Sequence, residues 1–407
     1  MPKPRFVVVG ASAAGVSAAL AMRKAGFDGE VTVIDSQAHF PYERPPLSKQ
    51  LVDGFAELKP IVRHEEIVAN AIDLRLDQRV VAISSASGSV ELDGGRGLTA
   101  EKVLLATGLS ARQLNVPGRD LGGVLRLRDA ADAIALSSHL ANTDRLVVIG
   151  AGFIGLELAA VARDSGREVT VIEIGSYPLT HLSPQVGALV RRLHEERGVR
   201  FRFEASVERF LGSERVHAVE LTDGEVLNAE TVVVGVGATP RDDLARSAGL
   251  ELANGIVVDS HGATSRSAIF AAGDIAVQPH PSLSVPTRIE HWDSAMRHGA
   301  AVGASMAGVP TTFTDIPYAW SDQFGDTIQM FGRPSPTDLM VMRADSSPES
   351  FLGCWMHGDE VTAVIGYGRS RDTRVVKALI EERRAMSPDV IRDETIELRD
   401  LRKRAMA

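Results

Sequence analysis

Hydrophobic and polar positions follow the same order twice along the chain. The apolar run Phe6–Val9 leads into a glycine-rich turn, an alanine- and leucine-rich segment, and a second apolar run, VTVI, which is followed by Asp35. Leu146–Ile149 begins the same order again, and its VTVI run is followed by Glu173. Short apolar runs rich in β-branched residues indicate buried strands. Each copy therefore predicts a strand–helix–strand segment of a parallel sheet.

Later apolar runs extend both copies. KVLLATG (Lys102–Gly108) and TVVVGVGATP (Thr231–Pro240) each predict a buried strand that stops at a turn of small residues. Gly255–Asp259 and Ile269–Asp274 predict two further strands. These two lie beyond both copies, so we expect the chain to return here to the first domain and to complete its site.

The C-terminal part has a different pattern. From Tyr318 onward, short alternating runs predict a small antiparallel sheet, followed by a helix near residues 372–384. The predicted fold class is α/β, with two Rossmann-like dinucleotide-binding domains, one inserted in the other, and a C-terminal α+β domain with a small antiparallel sheet. The expected boundaries are 1–114 and 241–317 for the first domain, 115–240 for the inserted domain and 318–407 for the C-terminal domain.

The glycine-rich turn of each copy suits a pyrophosphate group. Its three key positions are Gly10, Ser12 and Gly15 in the first copy, and Gly150, Gly152 and Gly155 in the second. The first position allows a tight turn, the middle one lets the backbone approach the phosphate, and the last allows close packing of helix on sheet. The following helix offers free N–H groups and a partial positive charge. Serine is small, so we expect Ser12 to be tolerated.

The acid after each VTVI run completes the pattern. Asp35 and Glu173 are predicted at the end of the second strand, where a carboxylate can accept hydrogen bonds from a ribose diol. Glu173 would also repel a 2′-phosphate, and residues 174–177 contain no arginine to bind one. The second copy is therefore predicted to prefer NADH to NADPH. Two such copies in one chain indicate an enzyme that holds two dinucleotides.

Composition excludes several classes of function. The net charge of −9 and the low aromatic content of 5% argue against nucleic-acid binding. Cys354 is the only cysteine, which excludes an intrachain disulfide, a CxxC redox pair and a cysteine-based zinc site. We expect no metal site, no membrane association and a cytoplasmic location. The apolar stretch after Arg5 resembles a secretory signal, but the glycine turn and the spacing of Asp35 favour strand–turn–helix instead.

Longer motifs carry a resemblance to a known family. They are YERPPLSK (Tyr42–Lys49), ATG, GAGFIGLELA, VGVGATP, AAGD and YAWSDQFG (Tyr318–Gly325). In this combination the chain resembles the FAD-dependent NADH:ferredoxin reductases of the putidaredoxin reductase type, which serve Rieske oxygenases and bacterial cytochromes P450. The match runs from Phe6 to about residue 330 and continues more weakly through the C-terminal sheet.

The resemblance implies which residues contact each cofactor. FAD is expected to contact residues of the first copy and further residues elsewhere in the chain. These candidates are Gly10, Ser12, Ala14, Gly15, Asp35, Ser36, Arg44, Val80, Ala106, Arg126, Gly273, Asp274, Trp292 and Trp320. NADH is expected at the second copy, and Glu290 is expected at the nicotinamide carboxamide. The further cofactor-binding candidates are Gly150, Gly152, Ile154, Gly155, Glu173 and Gly237.

The resemblance also implies an ion pair beside flavin N5, formed by Lys49 and Glu157. Hydride transfer to N5 adds negative charge to the flavin ring, and a nearby ammonium stabilises that charge. A carboxylate paired with the lysine keeps it charged and in place. We therefore interpret Lys49 and Glu157 as the catalytic pair, without requiring either of them to donate a proton.

The function implied is electron transfer from NADH through FAD to a [2Fe–2S] ferredoxin that feeds an oxygenase or a cytochrome P450. A flavin is needed because the nicotinamide moves two electrons and an iron–sulfur cluster accepts one. The protein is expected as a monomer or weak dimer, with a basic docking patch at Arg369, Arg371, Arg374 and Lys377. Two alternatives are an FAD-dependent NADH oxidase and a non-catalytic redox sensor resembling apoptosis-inducing factor.

Overall fold

The computed structural model describes residues 3–51, 57–84, 89–343 and 346–400. Within it the chain forms two compact units, each made of several segments. The first unit consists of Met1–Arg44, Leu58–Ser110 and Ala238–Pro317. The second unit consists of Pro45–Glu57, Ala111–Gly237 and Tyr318–Ala407. None of the helices in the described residues is long and apolar enough to cross a membrane.

The first unit is built on a five-stranded parallel sheet. In spatial order its strands are Ile269–Ala271, Lys102–Leu105, Arg5–Val9, Glu30–Ile34 and Ile72–Arg75. One edge strand, Ile269–Ala271, comes from beyond residue 240. The chain therefore does return to the first sheet, as the sequence predicts. The helices are Ala13–Lys24, His64–Ala69, Asp243–Ser247 and Trp292–Met306, with a 3-10 turn at Gly273–Ile275.

Burial on both faces explains the continuous apolar run of the central strand. Val8 packs in one core cluster together with Ala14 and Val16 of the following helix. Val7 and Val9 belong to a second cluster on the opposite face. Successive side chains of a strand point to opposite faces, so a strand covered on both sides needs apolar residues at every position.

Smaller strands complete the first unit. Three antiparallel strands form one small sheet, Val80–Ile83, Val90–Leu92 and Gly97–Leu98. Ile256–Val257 pairs in parallel with Ala276–Val277. Two further short strands are Ala238–Pro240 and Leu109–Ala111, of which the last residue, Ala111, belongs to the second unit.

The second unit repeats the parallel architecture. In spatial order the five strands are Arg200–Arg202, Glu168–Ile172, Arg145–Ile149, Thr231–Val234 and Val124–Leu125. The register is the same in both copies, since Val9 is paired with Ile34 and Ile149 with Ile172. The predicted duplication is thus confirmed in the pairing of strands. The helices here are Ala130–Leu140, Phe153–Asp164 and Pro184–Glu196, and the antiparallel strands are Val207–Gly212, Val216–Leu221 and Val226–Asn228.

The predicted C-terminal antiparallel sheet is confirmed. In spatial order its five strands are Tyr318–Gln323, Asp326–Gly332, Glu360–Tyr367, Phe351–His357 and Leu339–Met342. The predicted helix near residues 372–384 is Ser370–Glu381, and a short helix, Pro388–Arg392, follows it. The second unit also contains the 3-10 turn Pro45–Ser48.

Candidate functional site

The first glycine turn is fixed by contacts within the protein. Gly10 has a φ of +110°, and a Cβ there would lie 2.3 Å from the carbonyl oxygen of Ala106. A Cβ on Gly15 would lie 1.8 Å from the carbonyl oxygen of Gly10. Both positions therefore require glycine for the strand, turn and helix to pack. Gly150 and Gly155 repeat this arrangement in the second copy.

The middle position of each turn is different. A Cβ on Gly152 would meet no atom within 4 Å, and its φ of −79° is open to any residue. The protein itself does not require glycine there, so its missing side chain leaves space in front of the helix. Gly152 and Ser12 are the N-caps of their helices, and neither helix start has a side-chain cap hydrogen bond. Open N–H groups facing free space fit a pyrophosphate.

In each copy, the carboxylate that is predicted to bind a ribose links the glycine turn to the loop after the second strand. Asp35 Oδ2 accepts a hydrogen bond from the Ala11 N–H at 2.6 Å, and Oδ1 accepts one from the Gln37 N–H at 2.8 Å. Glu173 makes the matching pair with Ala151 (2.7 Å) and Gly175 (2.8 Å). Each carboxylate oxygen keeps a further lone pair for a ribose hydroxyl. The residues present thus fit a dinucleotide at each copy.

Lys49 and Glu157 form the ion pair that the resemblance implies. The Lys49 Nζ lies 2.8 Å from Glu157 Oε1, and both residues belong to the second unit. Only 7% of the Glu157 side chain is exposed. The hydroxyl of Ser48 donates to the other oxygen, Glu157 Oε2. Burial makes such a carboxylate costly unless it is hydrogen-bonded, and here both oxygens have donors.

A third charged residue completes this group and was missed by the sequence reasoning. Asp322 Oδ2 lies 3.0 Å from the Lys49 Nζ, and the backbone N–H of Asp322 donates to Glu157 Oε1 at 3.2 Å. The hydroxyl of Thr327 donates to Asp322 Oδ1 at 2.6 Å. We call Ser48, Lys49, Glu157, Asp322 and Thr327 the Lys49 cluster. The available signal was the motif YAWSDQFG, in which Asp322 and Trp320 lie two residues apart on one strand face.

Trp320 lies in a row of stacked aromatic rings. The rings of Tyr318 and Trp320 stack with centroids 5.5 Å apart, and Tyr318 also stacks on Phe331 at 4.6 Å. Trp320 itself is partly exposed. Such stacking restricts the indole ring and leaves part of it accessible to a ligand.

Gly273 and Ala14, both FAD candidates, contact each other. A Cβ on Gly273 would lie 2.7 Å from the Cβ of Ala14, and the φ of Gly273 is +77°. The N–H of Gly273 donates to Nδ1 of His298 at 3.2 Å. Burial, with the neighbouring charge of His280, lowers the pKa of His298 to about 3, so it is a neutral acceptor. His298 was not among the predicted site residues.

The remaining candidates of the first unit are spread around its sheet. Glu290 is exposed and pairs with Arg288 at 2.8 Å. Trp292 opens the helix Trp292–Met306, and Asp274 lies in the 3-10 turn Gly273–Ile275. The others are Val80 and Ala106, which are buried, Arg44, which is partly buried, and Ser36, which is exposed.

The remaining candidates of the second unit lie near its parallel sheet. Ile154 is 43% exposed in the first turn of the helix Phe153–Asp164. Arg126 is partly buried and follows the strand Val124–Leu125 directly. Gly237 is exposed, has a φ of +96° and accepts a hydrogen bond from the N–H of Arg112 at 2.9 Å.

Comparison with known proteins gives the class to which this fold and site belong. Residues 4–299 match the family described as pyridine nucleotide-disulphide oxidoreductase, and residues 318–402 match the family described as reductase C-terminal. The chain belongs to the pyridine nucleotide-disulphide oxidoreductase family. As such it is an oxidoreductase, and the predicted cofactors, FAD and NADH, are confirmed at the level of the family.

Relatives of known function show which kind of oxidoreductase this chain is similar to. The chain is 32% identical to the "benzene 1,2-dioxygenase system ferredoxin--NAD(+) reductase subunit" of Pseudomonas putida, covering 97% of this chain and 96% of that one. It is 36% identical to the corresponding anthranilate 1,2-dioxygenase component of Burkholderia cepacia, covering 97% and 98%. The covalent putidaredoxin reductase–putidaredoxin complex has a TM-score of 0.95 at 31% identity, with 100% of both chains covered. The resemblance drawn from the motifs is confirmed.

Proposed function

We propose that this protein takes electrons from NADH and passes them through FAD to a [2Fe–2S] ferredoxin that supplies an oxygenase or a cytochrome P450. The observation that carries the proposal is the likeness to ferredoxin–NAD(+) reductase components over nearly the whole chain. A reducing cytoplasm is the proposed location. The proposed oligomeric state is a monomer or a weak dimer, to be measured by light scattering.

The single cysteine of this chain supports an external one-electron acceptor. Cys354 is the only cysteine in the sequence and is buried. Burial raises the pKa of its thiol to about 12, so it is not a thiolate near neutral pH. Electrons therefore have no dithiol to leave through, and an external redox protein is the acceptor that suits this chain.

The proposed roles of the residues follow from their contacts. The first glycine turn with Asp35 would hold the ADP half of FAD, and the second with Glu173 would hold NADH. When bound, FAD supplies the step from two-electron to one-electron transfer. Lys49, held by Glu157, would stabilise negative charge on the flavin. Trp320, restricted by stacking, would cover an edge of the ring.

The acceptor is proposed to dock on the basic face of the helix Ser370–Glu381. Arg371 and Arg374 are exposed there. Arg369 and Lys377 instead pair with carboxylates of the same segment, Asp372 and Glu381, which reduces the field that they project. Charge-reversing Arg371 and Arg374 together should slow ferredoxin reduction and weaken its dependence on ionic strength. A rate that responds to salt as in the wild type would argue against docking there.

The test of the function is spectroscopic. The purified protein should be yellow, should be bleached by NADH without air, and should be reoxidised far faster by a [2Fe–2S] ferredoxin than by air-saturated buffer. Screening several ferredoxins with cytochrome c as the final acceptor would identify the partner. Reoxidation by air as fast as by every ferredoxin tried would favour the NADH oxidase. Binding of FAD without reduction by NADH would contradict both.

A further inference from the structure

The Lys49 ammonium contacts two carboxylates that differ in their surroundings. Glu157 is buried and also accepts hydrogen bonds from the Ser48 hydroxyl and the Asp322 N–H. The Asp322 side chain is 40% exposed and is held by the Thr327 hydroxyl. One cation therefore faces two anions at 2.8 Å and 3.0 Å.

Two acids are more than the lysine needs to stay charged. One buried, hydrogen-bonded carboxylate already stabilises the ammonium. The second carboxylate, Asp322, makes the formal charge of the Lys49 cluster −1, because one lysine is opposed by two carboxylates. An ammonium that is already more than neutralised stabilises less added negative charge on a neighbouring cofactor. Asp322 would therefore act against reduction of a cofactor bound beside Lys49.

Cross-strand pairing fixes the aspartate in this role. Asp322 and Thr327 are direct partners in the antiparallel pair Tyr318–Gln323 and Asp326–Gly332. The Thr327 hydroxyl occupies Oδ1 and so leaves Oδ2 directed at Lys49. A hairpin of the C-terminal sheet thus presents a fixed anion to the lysine.

We propose that Asp322 is a positioning residue for Lys49, and that its charge lowers the reduction potential of the bound FAD. This rests on the proposed function, in which Lys49 stabilises charge on the flavin. A lower potential gives the reduced protein more driving force to reduce an external one-electron acceptor. It also makes reduction of the flavin by NADH less complete.

The decisive experiment is the midpoint potential of the bound FAD in the Asp322→Asn holoprotein, measured by equilibration with reference dyes. Asparagine keeps the shape, an oxygen for Thr327 and the backbone N–H that serves Glu157, and removes the charge together with the oxygen that faces Lys49. The potential should become more positive. A tenfold change in the equilibrium constant corresponds to about 30 mV for a two-electron couple.

Asp359→Asn is the matched control. Asp359 is exposed and lies in the turn before the strand Glu360–Tyr367, at the opposite end of the same sheet from Asp322. The Asp359→Asn substitution removes the same charge at a site away from Lys49, and it should leave the midpoint potential of the bound FAD unchanged. Thr327→Val keeps the Asp322 charge but removes its hydrogen bond, and should shift the potential in the same direction by less.

The outcomes of these measurements distinguish a failure of the proposed function from a failure of the role proposed for Asp322. A wild-type protein that holds no FAD, or whose FAD is not reduced by NADH, would contradict the proposed function. A wild type that behaves as proposed, with equal potentials for Asp322→Asn and Asp359→Asn, would overturn the role of Asp322 alone. If Asp322→Asn does not retain FAD, the potential of Thr327→Val decides, since an unchanged value there removes the positioning role.

Discussion

At the scale of single residues, the glycines of one motif are needed for different reasons. Gly150 and Gly155 are required by carbonyl oxygens 2.4 Å and 2.1 Å from their hypothetical Cβ atoms. Gly152 meets no protein atom. The first two are needed for the fold, and the third is needed only if a ligand approaches its backbone.

Gly152→Ala is therefore expected to separate binding from stability. Alanine adopts the backbone conformation of Gly152 without strain, so the melting temperature without NADH should change by no more than about 2 °C. The KM for NADH should rise by about threefold or more, because a methyl group would occupy the space next to the phosphate, although the first copy has a small side chain, Ser12, at the matching position. Gly155→Ala is the contrasting variant and should lower the melting temperature. A KM for NADH that does not change in Gly152→Ala would contradict the assignment of this turn.

Glu173 is expected to decide between the two nicotinamide cofactors. Glu173→Arg should lower the ratio of kcat/KM for NADH to that for NADPH by about tenfold or more, because the repulsion of a 2′-phosphate becomes attraction. Glu214→Arg, an exposed change in the same unit, is the control. Since Glu173 also holds the N–H groups of Ala151 and Gly175, some loss of total activity is expected. An unchanged ratio would remove Glu173 from the ribose site.

At the scale of elements, two helices of the first unit lie in unusually close contact. A Cβ on Gly299 or Gly303 would lie 2.2 Å from the carbonyl oxygen of Ala14 or Ala18, respectively. These four residues bring the helix Trp292–Met306 against the helix Ala13–Lys24, which starts at the first glycine turn. The sequence pattern gave no prediction of this contact, because glycine inside a helix disfavours the helix locally and its benefit exists only against a partner.

Gly303→Ala should accordingly destabilise the protein although alanine is the better helix former. Overpacking at a helix contact costs about 1–3 kcal/mol, which exceeds the roughly 1 kcal/mol gained in helix propensity. The free energy of unfolding from urea titrations of the holoprotein measures the net change. Ala300→Ser, a partly exposed change on the same helix, is the control and should have a small effect. A stabilised Gly303→Ala protein would show that the two helices move apart at little cost.

At the scale of the whole molecule, each unit contains a buried neutral histidine. His298 belongs to the first unit and has a pKa of about 3. His194 belongs to the second unit, contacts Gln323 at 2.9 Å, and burial lowers its pKa to about 4. Both values lie below the ordinary 6.5. Below pH 6.5 the unfolded chain therefore binds protons that the folded chain does not, and stability falls as the pH falls towards 4.

His298→Gln should reduce this loss in acid. Each histidine contributes a slope of about 1.4 kcal/mol per pH unit between its unfolded and folded pKa values. Glutamine offers an oxygen to the Gly273 N–H and does not titrate. The variant should have a flatter dependence of unfolding free energy on pH between 6.5 and 4.5, measured by urea titrations at several pH values. A slope equal to that of the wild type would show that His298 takes up its proton without unfolding.

The sequence by itself determined the local architecture and the two dinucleotide turns. Apolar runs, glycine spacing and the acids Asp35 and Glu173 act within one strand–helix–strand segment, where the spacing along the chain nearly fixes the geometry. The ion pair of Lys49 and Glu157 was predicted only through the resemblance to a family. The second carboxylate at Lys49 was not predicted, because Asp322 lies 165 positions from Glu157 along the chain. Only tertiary packing decides which distant residues meet, since nothing in a local pattern records a contact across such a separation.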